Sequence, residues 1–279
     1  MSEELNTMPR RKTESVSLMA VRDRLRRLGM KSMADALEEM DKSGELSHSG
    51  ALEVIDQISS IQEIESLNNT STRYKNQANL FQPTADLMDI LHRPDRHINA
   101  PLVDQLATNE YIQSSRNIMI ISETGCGKTF FACAFGNQAC DSQYTVKYYT
   151  MVDLLDEFKR ADERGKKVKL LNKLANTNLV IIDDFLLTTV TTKDVEVLYR
   201  LFASKPRRNK PRSFIICSQL MKEEMYTRLS TVSPSLSDAI MNRLSSKAYI
   251  LRFEGPSMRE IDIAEELRKQ REGISANNQ

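Results

Sequence analysis

The segment Ser122-Glu123-Thr124-Gly125-Cys126-Gly127-Lys128-Thr129 constrains this chain more than any other, because it joins an apolar, β-branched run ending at Ile121 to an apolar run reaching Cys140. A strand that turns through Gly-x-Gly-Lys-Thr into a helix is the setting of a phosphate-binding loop. Glycines at 125 and 127 let the backbone wrap with its N–H groups turned inward, and the helix starting near Lys128 adds its positive dipole end. In such a cradle Lys128 reaches the β- and γ-phosphates of a nucleotide, and the Thr129 hydroxyl ligates magnesium. Ser122 stands where glycine is usual, which predicts weakened rather than abolished binding. The plainer alternative is a glycine-containing strand-to-helix turn without a ligand.

A second motif argues against that alternative. Leu179-Val180-Ile181-Ile182-Asp183-Asp184 is an apolar strand ending in two acids. Large apolar residues buried directly before two carboxylates make sense where those carboxylates emerge at a site. The segment looks like a Walker B strand, with Asp183 holding magnesium and Asp184 orienting and polarising the attacking water. Aspartate is one methylene shorter than the glutamate common at the second position, so slow basal turnover is expected. The strand expected at Val146 to Tyr149 lies between the two motifs in the chain, an order found in ATPases with an extra central strand.

Around these motifs the chain reads as α/β. Further strands are expected at Asn117 to Ile121, Leu179 to Ile182, Ser213 to Cys217 and Tyr249 to Phe253, alternating with helical stretches as in a five-stranded parallel sheet covered by helices. The preceding region is different. Leu18, Val21, Leu25, Leu28, Met33, Leu37 and Met40 recur at helical steps broken near Gly29, and a second helix is expected from Ala51 to Leu67. The organisation predicted is a tail over 1–16, a small all-helical module with connector over 17–92, the nucleotide-binding domain over 93–256, and a terminal helix and tail over 257–279.

Composition excludes several classes. Charged residues are 28% and hydrophobic ones 40%, an ordinary globular balance. No apolar run reaches membrane-spanning length, which predicts a cytoplasmic protein without a membrane partner. Four cysteines form no C-x-x-C pair and lie far from the three histidines, so no zinc site is expected. The net charge of +1 conceals local clusters: residues 201–250 carry nine Lys or Arg against three Asp or Glu. A second cluster runs from Lys159 to Lys173. Either is, in the bland reading, a solvated face.

Taken together, these residues resemble the AAA+ ATPases, and more closely the IstB-like helper proteins of insertion-sequence transposition, which are related to the DnaC helicase loader. The resemblance spans LRRLGMKSMADALEEM, YKNQANLFQPTADLMDIL, LATNEYIQSSRNIMIIS and AIMNRLSSKAYILRFEG. It implies ATP and Mg2+ as ligands, Gln219 as a γ-phosphate sensor with Ser218 as the alternative, and Arg243 as an arginine finger acting on the neighbouring subunit's nucleotide. Hydrolysis would then require self-association into a higher oligomer. The resemblance also implies duplex DNA bound largely without sequence preference through Lys159, Arg160, Arg164, Lys166 and Lys167, with Arg207 and Arg208 as a second set, and a cognate transposase as partner. The 26 residues after Phe253 are too few for a separate helical lid, leaving Arg259 as a weak candidate for a second sensor. Alternatives are a DnaC-like helicase loader, a nucleotide-regulated DNA scaffold with negligible hydrolysis, and a small-molecule P-loop kinase.

Overall fold

The computed structural model describes residues 17–90, 96–206, 210–255 and 257–258. They form two compact units that divide between residues 69 and 70. In the first unit, α1 (Leu18–Arg27) starts at Ser17, whose hydroxyl accepts the Ala20 N–H and so satisfies an otherwise orphaned donor. The expected break falls at Gly29, whose φ of +78° favours glycine, and α2 (Lys31–Ser43) follows and stops at Gly44 with the same φ. Ala36, Leu37 and Met40 pack against Ile58 of α3 (Ala51–Ala78) as a small core. Outside it, Glu38 accepts ion pairs from Arg22 at 2.8 Å and Lys42 at 2.9 Å.

Helix α3 runs well past the expected end at Leu67. The added segment, NNTSTRYKNQA, has no apolar period to announce it. Tertiary partners sustain its second half: Ser71 and Lys75 both bond the Asp141 carboxylate, Lys75 at 2.8 Å.

The second unit contains α4 (Ala100–Ala107), α5 (Glu110–Gln113), β1 (Ile118–Ile121), α6 (Lys128–Asp141), β2 (Val146–Thr150), α7 (Met151–Glu163), α8 (Lys167–Ala175), β3 (Leu179–Asp183), α9 (Thr192–Ala203), β4 (Ser213–Ser218), α10 (Lys222–Ser230), α11 (Pro234–Ser245) and β5 (Tyr249–Arg252). All five strands are parallel, in the order β2-β3-β4-β1-β5. Each lies within a residue or so of its expected position. The three inner strands are buried throughout, which is why they read as continuous apolar runs.

Alternate side chains serve opposite cores. Ile118, Ile120, Leu179, Ile181 and Ile215 join the core beneath α6, whereas Met119, Val180, Ile182, Phe214 and Ile216 join the core formed with α7, α9, α10 and α11. The connector packs on the α6 side, where Asn137 donates to the carbonyls of Pro83 and Ala85 at 3.0 and 2.8 Å. The expected terminal helix from Ser257 lies almost wholly outside the described residues. Among the described residues, no helix is long and apolar enough to cross a membrane.

Candidate functional site

The carboxyl ends of β1, β3 and β4 open on one side of the sheet, where ligands of such sheets bind. The loop from Ser122 leaves β1 and enters α6 through Gly127, with φ of +85° at Gly125 and +96° at Gly127. Both positions favour glycine for conformation, and Gly125 demands it for space as well. A Cβ at Gly125 would collide with Ser257, and one at Gly127 would lie 3.3 Å from the Arg96 guanidinium. Met258 N–H donates to the Gly125 carbonyl at 2.9 Å and Arg96 to the Cys126 carbonyl at 2.7 Å, so the outer side of the loop is held by two other segments.

A cavity of about 370 Å³ is lined by this loop together with Asp184, Gln219, Ile90, Arg96, Phe130 and Met258. Lys128 lies within it, largely buried, and its ammonium donates to the carbonyls of Ser122 at 2.8 Å and Glu123 at 2.7 Å. Burial pushes its pKa down, opposed by the nearby Cys217, Cys126, Asp183 and Asp184. Ser122, the departure from glycine, is buried at the strand exit, with its N–H donating to Ser218 O at 3.3 Å. Glu123 and Thr124 are the exposed residues of the loop.

The two sequence motifs meet at Asp183, which is 2% exposed. The Thr129 hydroxyl donates to its Oδ2 at 2.6 Å, and its Oδ1 accepts the N–H of Asp184 at 2.9 Å. A hydroxyl and a carboxylate are hard oxygen donors of the kind magnesium takes, with phosphate oxygens and water completing its shell. This pairing therefore fits the ion. Asp184 is exposed and lines the cavity with φ of +52°, turned outward between the buried Asp183 and Phe185. From β4, Gln219 accepts the Thr124 hydroxyl through Oε1 at 2.7 Å. Ser218, the alternative sensor, is instead a buried tie that donates to Phe185 O at 2.8 Å.

Arg243 does not line this cavity. It is exposed on α11, where it donates to Ala239 O at 2.8 Å and lies 5.2 Å over the Tyr199 ring. Lys159, Arg160, Arg164 and Lys166 are exposed around the α7–α8 turn, and Lys167 is half-buried and pairs with Asp162 at 3.4 Å. The groove beside that turn is mixed in charge: Asp156, Asp162 and Glu163 line it together with Lys159 and Lys167. Arg207, Arg208 and Arg259 lie outside the described residues.

Two residues at the site carry no sequence signal. Arg96 is buried with its guanidinium near the Phe131 and Phe253 rings, 5.8 and 5.6 Å from their centroids. Tyr148 of β2 donates to Asp183 Oδ2 at 2.9 Å, and burial, reinforced by Asp183, pushes its pKa well up. In the sequence both sit among apolar or connector residues and read as packing.

Comparison with known proteins adds to this geometry. The family described as IstB-like ATP binding protein matches residues 23–265. An insertion sequence ATP-binding protein of Sinorhizobium fredii is 31% identical over 241 residues, covering 85% of this chain and 93% of that protein. The insertion sequence IS1162 ATP-binding protein of Pseudomonas fluorescens is 32% identical over 53% of this chain and 63% of its own length. Among solved structures, AMPPCP-bound DnaA from Aquifex aeolicus superposes with a TM-score of 0.52 at 21% identity, over 67% of this chain and 55% of that one. At that identity the likeness concerns the fold, a parallel AAA+ sheet; the chain spans about half of the DnaA chain. A match across most of the residues, on a sheet that brings phosphate loop and acidic strand together, makes this chain a member of the family of IstB-like ATP-binding proteins.

Proposed function

We propose that the chain is an ATPase that assembles on duplex DNA and, in its ATP state, recruits or activates the transposase of its insertion sequence. The observation that carries the reading is the 2.6 Å bond between Thr129 and Asp183, which unites the glycine loop with the acidic strand beside a cavity of about 370 Å³ that Thr129 lines. When bound there, magnesium neutralises phosphate charge and templates the reacting groups. Thr129 and Asp183 would hold it.

The chain's own groups divide the remaining work. Lys128, now bonded to two loop carbonyls, exchanges them for phosphate oxygens. Asp184 lines the cavity and would orient and polarise the attacking water, and Gln219, linked to the loop through Thr124, would report on the terminal phosphate. Besides Lys128 the described lining residues hold one further cation, Arg96, which is bonded to the loop carbonyl of Cys126 at 2.7 Å, so a finger for the terminal phosphate would come from elsewhere. Arg243 from a neighbouring copy would supply it, an effect about 10³ to 10⁵ in rate for such fingers. Turnover is therefore slow in the isolated chain and rises on assembly.

The relatives named as insertion sequence ATP-binding proteins favour a transposase as client over a replicative helicase. DNA is met through phosphates by Lys159, Arg160, Arg164, Lys166 and Lys167, with Arg207 and Arg208 in support. Neutralising six phosphates per copy gives a log-log salt slope of about −5 on duplex DNA. The test mixes Arg243→Ala with Asp184→Asn protein on DNA: ATPase activity returns as mixed interfaces pair an intact finger with an intact acid. Absence of recovery at every ratio rejects action between subunits. Pull-down against the transposase and a replicative helicase separates the two clients.

A further inference from the structure

We infer that Tyr148 is a positioning residue for magnesium-nucleotide binding, its hydroxyl fixing the Asp183 carboxylate from the neighbouring strand. The inference rests on the nucleotide reading above and concerns how this chain readies its ion-holding acid.

Strands β2 and β3 run parallel with Tyr148 beside Ile181 and Thr150 beside Asp183. Side chains two residues apart share a face, so Ile181 and Asp183 both point toward α6. Tyr148 and Ile181 belong to the core on that face, whereas Tyr149 and Ile182 belong to the other. The Tyr148 ring therefore lies in the layer between sheet and α6, and its hydroxyl reaches Asp183 Oδ2 at 2.9 Å. At 8% exposure the ring serves packing, which phenylalanine would do equally. Only the hydroxyl requires another cause, and the Asp183 oxygen is its bond partner.

Asp183 thus receives three donors on two oxygens: Thr129 and Tyr148 on Oδ2, and the Asp184 N–H on Oδ1. Two of these come from the segments that meet the nucleotide, the phosphate-loop helix and the turn carrying Asp184. Tyr148 comes from neither. Its bond pins the carboxylate to the edge strand of the sheet, and it holds the same oxygen in place when the Thr129 hydroxyl turns a lone pair to the ion. Outer partners that orient an ion's ligands typically contribute 10- to 100-fold in affinity.

The experiment compares full-length wild type, Tyr148→Phe, Asp183→Asn and the double variant. Affinity for a fluorescent ATP analogue is measured with magnesium and again with EDTA, after melting curves verify folding. The expected result is that Tyr148→Phe leaves EDTA affinity within about twofold while the gain from magnesium falls by about tenfold. In the Asp183→Asn background the tyrosine substitution then changes little further. An undiminished magnesium gain in Tyr148→Phe overturns the inference, as does an equal loss in both conditions, which marks packing alone. If wild type itself gains nothing from magnesium, it is the nucleotide reading that fails. Should Tyr148→Phe not fold, Tyr148→Leu, which also removes the donor, is read against the same criterion.

Discussion

The two units of this chain both carry ion pairs at their surface, but they differ in the charge they bury. In the N-terminal unit the ion pairs lie at the surface, with Arg26 and Lys42 side chains 42% and 72% exposed, over a core of four buried residues. The α/β unit has surface pairs as well, such as Lys167 with Asp162, but it also holds Asp183, Lys128 and Ser218 nearly or wholly buried between two extended apolar layers. Surface pairs in water contribute little, because solvent and salt screen them. Burying a charge is costly without partners, so a cluster of buried, bonded polar groups marks where a fold maintains chemistry. Leu52, Ile55 and Ile64 on α3 stand well exposed, whereas the inner strands expose nothing.

Substitutions aimed at one unit should leave the other's property intact. The largest effect is expected from Ile181→Ala, fully buried beneath α6, which should destabilise the α/β unit by about 2–5 kcal/mol in calorimetry. Leu37→Ala in the small helical core should act near the lower end of that range, and nucleotide affinity should not change. Equal melting shifts with lost nucleotide binding in both would dissolve the distinction between units.

Lys128→Ala tests the buried site directly. A charged donor to phosphate contributes about 1.5–3 kcal/mol, so nucleotide binding should weaken at least tenfold while α1–α2 hydrogen exchange is unchanged. Gly125→Ala should cost about 1–2 kcal/mol for its left-handed backbone, and its methyl group must also displace Ser257. Titration calorimetry should find weaker nucleotide binding; wild-type affinity would show that the loop yields freely.

The smallest effect concerns Glu38, whose pKa is held below the ordinary glutamate value of 4.5, first by its bond with Lys42 and then by Arg22 and Arg26. A depressed folded pKa gives stability that is present above 4.5 and lost as pH falls through the folded value. Hydrogen-exchange protection factors in α1 and α2, which correct for the intrinsic pH dependence of exchange, should therefore fall on acidification, and Glu38→Gln should flatten that response. An unaltered response would show that the surface pairs contribute nothing.

Much of this was open to a reader of the chain alone, for reasons specific to each element. The inner strands are apolar on both faces, so nothing interrupts their pattern, and glycine is the residue that bends a loop through φ near +90°. Helix α3 was legible only to Leu67 because its continuation has polar residues whose helicity depends on Asp141, distant in sequence. Arg243 was legible as an arginine on a helix. Its exposed place on α11, away from its own cavity, emerged only from folding. The basic cluster near Lys159 was visible, interrupted by Asp162 and Glu163, but that Asp156 lines the same groove followed only from the fold.

Local chemistry in the sequence determined that a glycine-bearing loop turns from strand into helix between Ser122 and Thr129 and that two acids end a buried strand, because glycine geometry and apolar patterning act over a few residues. Only the tertiary structure decided that Thr129 meets Asp183 across the sheet order β2-β3-β4-β1-β5. It likewise decided that Tyr148, core in every local sense, spends its one polar atom on that acid. Hydrogen-bond partners drawn from separate strands depend on register and stacking, which no single stretch of residues contains.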